Sequence, residues 1–397
     1  MTTKERARPT PRDVREAATR MRGFVERTRV DSHDGARHRY LWTDAFAVCN
    51  LLALQRATGD VGYLTLARQL VARVHEGLGR HRPDDARQGW ISGLGEDEGR
   101  AHPTRGGLRI GKPEPERGAH EALDPAREWD RDGQYFHYLT RWMHALARLA
   151  DATREPRYLV QAVELAEAAH RGFTYRREGR PGMHWKASID LSRPLVPSAG
   201  NHDPVDGLVT ASELRAALAG DGDDDPSRLD AMLDDMRAMC AEVSWPVEDP
   251  LGIGCLLTAA CTLAQLRARR SDPAAVDDAA LLPRMLEGAL QGLHEIPEDF
   301  LRWPTGHRLA FRELGLAIGL RAVPRLVAVY ERDRERLGGA EVGTLLAALE
   351  RHLPLGHGIE ACWQDPAHHG DATWREHRDI HEVMLATALV PDGYLDA

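Results

Sequence analysis

The stretch 249–266, DPLGIGCLLTAACTLAQL, is apolar on almost every side of a helical wheel, and 311–326, FRELGLAIGLRAVPRL, repeats the pattern. A helix with so little polar stripe belongs inside a protein, covered by other elements. Two other stretches differ: 63–78, YLTLARQLVARVHEGL, and 157–173, RYLVQAVELAEAAHRGF, carry an apolar stripe and a charged face. Inner and outer helices therefore alternate. Working outward, the periodicity predicts pairs at 41–58 with 62–78, 134–152 with 156–172, 203–219 with 226–243, 250–269 with 273–293, and 307–330 with 342–353. Helix 373–389 lacks a successor and helix 11–29 lacks a predecessor, so the two complete a sixth pair. The expected fold is all-α, an (α/α)6 toroid of six helical hairpins forming one domain over 1–397. Pro324 is expected to kink its inner helix.

Trp42, Trp129, Trp185, Trp245, Trp303 and Trp374 stand at or before the starts of apolar helical stretches. Their spacing suggests a recurring unit of about sixty residues, as repeat architectures show. Turns from inner to outer helices are short, whereas the connections 79–133 and 174–201 are long, and long connections in a compact domain tend to be functional. The first contains GWISGLGEDEG (89–99) and RGGLRIGKPEPERG (105–118), whose apolar residues and glycines predict a small β-hairpin after the first pair. Such loops would roof a cavity at the inner-helix N-termini, where outward N–H groups favour oxygen ligands. Tryptophans around that mouth would suit a sugar ring.

Composition narrows the partners. The 397 residues are 42% apolar and 28% charged, with net charge −9. No basic face is evident, which argues against nucleic acid. The N-terminus has arginines but no apolar core and does not read as a secretory signal. No apolar run suggests a bilayer span. Five scattered cysteines without a CxxC fit reduced thiols in a cytoplasmic protein.

The order of helices, together with two local motifs, resembles the six-hairpin toroid superfamily of carbohydrate-active enzymes. That superfamily includes unsaturated glycuronyl hydrolases and the N-acylglucosamine and cellobiose 2-epimerases. Glu128-Trp129-Asp130-Arg131-Asp132-Gly133-Gln134 is similar to the Trp-rich acidic segment of the hydrolase branch. Trp374-Arg375-Glu376-His377 is similar to the Trp…His start of the last epimerase helix, with shorter spacing. The resemblance covers nearly the whole chain and is mostly architectural.

The candidate site residues cluster at predicted inner-helix starts. In EWDRDGQYFHY (128–138), Asp130 and Asp132 are candidate acid and base, beside Trp129, Gln134 and His137; Asp132 also suits a helix cap. SAGNHDPVDGL (198–208) offers His202, Asp203 and Asp206, with Asp203 before proline as a cap and Asp206 one turn inside. WPVEDPLG (245–252) adds Glu248 and Asp249 in the fourth unit. Glycosyl transfer needs two carboxyls of unequal pKa, and these acids form its pool. In HHGDATWREHRDIHEV (368–383), His377 and His381 share a helical face and suit acid–base work near neutrality. HxxxH without a clear third ligand gives no metal site, and no cofactor is expected. Asp223, Asp224 and Asp225 read as a solvated turn. On the first long loop, Glu96 and Glu98 read as soluble charges, while Arg109 and Lys112 would suit an anionic sugar. Trp90, His184, Trp185, Lys186, Trp303, His307, Trp374 and Arg375 complete the expected substrate-binding set.

These features predict a carbohydrate-active enzyme, with glycoside hydrolysis by paired carboxylates ahead of a sugar epimerase or isomerase using His377 and His381. A non-catalytic helical-repeat scaffold is the third reading. The expected partner is a small sugar or oligosaccharide, with no nucleic acid and no membrane.

Overall fold

The computed structural model describes residues 9–32, 39–200, 202–221, 225–241, 245, 247–269 and 279–396. The fold is all-α, with a few short strands. The chain divides into two compact units, the first within 1–24, 49–61 and 244–397, the second within 25–48 and 62–243.

In the first unit, helix Pro250–Arg269 packs along helix Ala310–Arg332, and helices Leu281–Glu295, Leu353–Gln364 and Arg378–Leu389 flank them. Helix Pro250–Arg269 is long and apolar enough to cross a bilayer, contrary to the sequence expectation. Most of it is buried within its unit, as the all-round apolar pattern requires of a core helix. Glycines set the approach of the two central helices. A Cβ on Gly254 would meet the carbonyl of Gly315, and one on Gly319 would meet the Cα of Gly254. Neither backbone can yield, so Gly254→Val should cost about 3 kcal/mol, the upper end of overpacking penalties. An unchanged urea midpoint for that variant would refute the close approach.

The N-terminal helix Pro11–Thr28 reaches the last long helix, as the sequence predicts. Arg20 Nη1 donates to Glu382 Oε2 (2.6 Å), and Asn50 Nδ2 donates to the Val383 carbonyl (3.0 Å) and lies 3.6 Å from Met21 Sδ. Helix Ala310–Arg332 runs through Pro324 without a break in its helical assignment. Several boundaries differ from expectation. The outer helix of that pair is Gly339–Glu350, and a further helix, Leu353–Gln364, follows it unforeseen. The last helix divides at His377 into Ala372–Glu376 and Arg378–Leu389. Helix Leu281–Glu295 begins later than the predicted 273, with 270–278 outside the described residues.

In the second unit, helix Phe136–Thr153 packs on Pro156–Phe173 and on Asp203–Asp221, which in turn packs on Asp230–Ala241. Helix Asp230–Ala241 follows a 3-10 turn, Pro226–Leu229, that Asp225 caps through the Ser227 amide (2.9 Å). Asp223 and Asp224 lie outside the described residues. The predicted hairpin is misplaced. Among the described residues, 79–133 holds only isolated bridges, Arg80 with Trp90 and Glu114 with Arg131. The hairpin lies in the second long connection, where Thr174–Arg177 pairs antiparallel with Arg180–Met183. Glu178 and Gly179 make its turn with φ of 52° and 81°, the left-handed pair that matches strand twist. A second small sheet joins Gln134–Tyr135, Lys186–Ala187 and Pro194–Val196, so both long connections meet at the start of helix Phe136–Thr153.

Candidate functional site

Much of the predicted binding set turns out to be the framework of the second unit. Asp132 is fully buried and does not cap a helix. Its Oδ2 accepts from Arg109 Nη1 (2.6 Å) and Arg82 Nη1 (3.4 Å), and its Oδ1 accepts from the amides of Gly111 (2.9 Å) and Lys112 (3.3 Å). Arg109 also donates to the carbonyls of Arg80 (2.7 Å) and Gly77 (2.6 Å) and is buried, so its guanidinium is engaged in holding the loop. Gln134, also fully buried, accepts from the Leu108 amide (2.8 Å) and donates to the carbonyls of Gly106 (3.0 Å) and Ile189 (2.6 Å). Lys186 is buried; its ammonium donates to the carbonyls of Glu128 (2.6 Å) and Arg131 (3.0 Å) and forms an ion pair with Glu128 Oε1 (2.9 Å). Trp90 is buried beneath the Arg80 guanidinium, 4.1 Å from its ring centre. Glu96 is held on the surface by Arg80 (2.7 Å). These side chains pin two long connections whose backbone has little regular pairing of its own. They hold the loops rather than a substrate.

Asp206 is likewise committed. Both its oxygens accept from Arg141 Nη2 (3.0 and 2.9 Å), and both partners are buried. Its lone pairs are thus directed at a guanidinium rather than at a substrate. Of Asp130, Asp132, Asp203 and Asp206, Asp130 alone is exposed to solvent.

A cluster of aromatic rings gathers around His137. Its ring stacks on Tyr135 (centroids 5.5 Å apart, planes at 11°) and meets Tyr138 (4.9 Å) and Trp42 (6.1 Å) edge-on. Tyr135 continues to Trp185 (5.0 Å), and Trp185 to Trp129 (5.5 Å), whose ring is 56% exposed. Tyr40 closes the other side, its hydroxyl 2.5 Å from that of Tyr138 and its ring 5.5 Å below the Lys112 ammonium. Burial lowers the pKa of that ammonium. His137 Nδ1 lies 3.5 Å from Asp203 Oδ1. Asp203 is the first residue of its helix and is buried, and its Oδ2 has no hydrogen-bond partner. It therefore does not serve as the N-cap that its place before Pro204 predicts. His202 precedes it, its carbonyl accepting from the Asp206 amide (2.9 Å). His184 leaves this group and stacks on Tyr175 of the hairpin (4.7 Å).

The first unit treats its histidines differently. His381 is buried; its Nδ1 accepts from the Phe311 amide (3.1 Å) and its Nε2 donates to the Thr373 carbonyl (3.3 Å). Both nitrogens are thus spent on backbone. Burial and the neighbouring His377 push its pKa down to about 4, so it is neutral where an acid–base catalyst must titrate. This corrects the expectation that it shuttles protons. His377, at the helix break, is exposed, and its ring meets Phe311 (6.4 Å) and His381 (5.9 Å) edge-on. Trp374 is no sugar platform: it is buried between Trp363 (5.7 Å) and His369 (4.0 Å). Trp245 is buried under Arg284 (4.7 Å), while Trp303 is 43% exposed beside Phe300. Glu248, His307 and Arg375 lie exposed. Asp249 caps helix Pro250–Arg269 through the Leu251 amide (3.0 Å). Among the described residues no three His, Cys, Asp or Glu side chains gather as a metal site.

His381 gives a pH prediction. Its folded pKa, about 4, lies below the ordinary 6.5, so the unfolded chain binds the extra proton first. Its contribution to stability is complete above pH 6.5 and falls as pH drops from there toward about 4. In His381→Gln that part of the acid loss should vanish. Equal pH slopes for variant and parent over this window would contradict a neutral buried imidazole.

Sequence reasoning missed Tyr40, Tyr135 and Tyr138 and set Asp203 aside as a cap. A signal was present: Tyr40 precedes Trp42 and Tyr135 and Tyr138 bracket His137, which puts aromatic rings at two helix starts.

No family model matches the chain, and no curated protein matches it in sequence. Among solved structures it is similar to a sugar epimerase from a ruminal bacterium, at 10% identity and a TM-score of 0.47, covering 88% of this chain and 86% of that one. It is also similar to the cellobiose 2-epimerase from Spirochaeta thermophila DSM 6192, at 12% identity and a TM-score of 0.43, covering 81% and 87%. Likenesses at this level assign neither an activity nor a substrate.

Proposed function

We propose that the chain is a carbohydrate-active enzyme, a sugar epimerase or isomerase, with His137 as the group that moves the proton. The observation that carries this reading is an imidazole 3.5 Å from the Asp203 carboxylate, on an aromatic floor of Tyr135, Trp185 and Trp129. Aromatic faces stack on the C–H faces of sugars, and imidazole titrates near neutrality. In a ring-opened aldose the carbon beside the carbonyl is acidic. His137 takes that proton, the C–H electron pair becomes the enediolate, and Asp203 stabilises the imidazolium. A proton delivered by water to the opposite face of the same carbon gives the epimer, with His137 releasing its own proton to solvent. Transfer from the His137 imidazolium to the neighbouring carbon gives the isomer. Glycoside hydrolysis, the leading expectation from sequence, is less well supported. It requires two carboxyls about 5 to 10 Å apart, one carrying a proton, and Asp132 and Asp206 are each tied to arginines.

The test is incubation with a panel of aldoses in D2O, followed by NMR. Deuterium at carbon 2, lost in His137→Asn, is the expected result. Release of aglycone from a glycoside panel, abolished by Asp130→Asn and unaffected by His137→Asn, would restore the hydrolase. The six-hairpin toroid is part of the same proposal, supported by the contact of helix Pro11–Thr28 with helix Arg378–Leu389. Small-angle scattering distinguishes a closed ring from an open superhelix.

A further inference from the structure

Among the described residues several buried polar atoms of the second unit have no partner, and three of them, Trp42 Nε1, Tyr135 Oη and Asp203 Oδ2, belong to neighbours of His137. Tyr135 is 2% exposed with an unpartnered hydroxyl, and Asp203 is 3% exposed with an unpartnered Oδ2. More than nine in ten buried polar groups find a hydrogen bond, so such exceptions ask for an explanation. Tyr135 stacks on the imidazole, and the second oxygen of Asp203 lies 3.5 Å from it. The Tyr135 hydroxyl and the Trp42 indole N–H are donors, and the Asp203 oxygen is an acceptor only.

We propose that Tyr135 and Asp203 form a hydroxyl-reading pair that restricts the site to neutral polyhydroxylated sugars. The inference rests on the sugar-enzyme reading above and names its substrate class. A hydroxyl donates and accepts, so hydroxyls of one sugar satisfy both members of the pair. A carboxylate or phosphate would suit the phenol but be repelled by Asp203. An ammonium would suit Asp203 but leave the phenol unanswered. Burial and the nearby carboxylates hold the Tyr135 phenol protonated, so it stays a donor. Asp203 then has two tasks, with Oδ1 toward the imidazole and Oδ2 toward the sugar. The Lys112 ammonium does not change this choice, because Asp130 and Asp132 both act on it.

Tyr135→Phe and Asp203→Asn in the full chain test the pair. Binding is measured by calorimetry with D-glucose, D-mannose and D-galactose, their deoxy analogues, and D-glucuronate. The parent is expected to bind a neutral hexose and to lose about a hundredfold or more in affinity when the hydroxyl that is read is missing. In Tyr135→Phe or Asp203→Asn the same deletion should cost less than about fivefold. A structural role would not move that ratio. Both variants should melt no lower than the parent, since each removes a group that is unsatisfied in the free protein. The pair is overturned by equal deoxy penalties in parent and variants, by tighter binding of glucuronate than glucose, or by no hexose binding at millimolar concentration. Carbon-2 deuteration separates the two proposals. Hydroxyl reading without exchange leaves the pair and removes the isomerase; exchange with unaltered deoxy penalties does the reverse.

Discussion

His137→Asn is expected to lower carbon-2 exchange by about a hundred- to ten-thousand-fold, the usual loss when a general acid or base is removed. Its hexose affinity should change little, because the aromatic floor survives: Tyr135, Trp185 and Trp129 contact one another without the imidazole. Stability should also hold. The ring is half-buried, and Asp203 Oδ1 lies 3.5 Å from its Nδ1. The expected pattern is therefore a fall in kcat with a steady KM and an unchanged melting midpoint. A parallel loss of binding and folding would make His137 a structural residue, and the proton-transfer role would pass to exposed His377, tested by His377→Asn.

Lys186→Met is expected to destabilise the second unit by about 3–5 kcal/mol, the cost of breaking a buried ion pair from one side. Glu128 is buried, and after the change its Oε1 faces no cation while Arg117 Nε still serves Oε2 (3.2 Å). The carbonyls of Glu128 and Arg131 lose their donor at the same time. Methionine nearly matches the lysine stem in volume, so a cavity contributes little. Adding Glu128→Leu should recover much of the loss, because removing both partners leaves no orphaned charge. Urea unfolding followed by tryptophan fluorescence gives the comparison, with Trp129 reporting on the turn that the pair holds. A single-variant loss below about 1 kcal/mol would mean that the charges reach water.

The sequence by itself determined that the chain is helical and where most of its long helices begin. Leu41–Thr58, Gly62–Leu78 and Pro250–Arg269 match the expected spans residue for residue. Apolar periodicity is a local property, and the residues that create it are within a few turns of each other. The start of helix Phe136–Thr153 was also legible as the place of the candidate site, through the acids and aromatics of 128–138. Which of those residues the fold leaves open was not legible. Asp132 and Asp206 are chemically the same as Asp203, yet Arg109 and Arg141, 23 and 65 residues away in the chain, take up the first two. Asp203 keeps an open oxygen because no such guanidinium reaches it. His377 and His381 share one helical register, but His381 alone meets the Phe311 amide, 70 residues distant. A site is a set of polar groups left unspent after the fold has satisfied the rest, and only the tertiary structure decides that remainder.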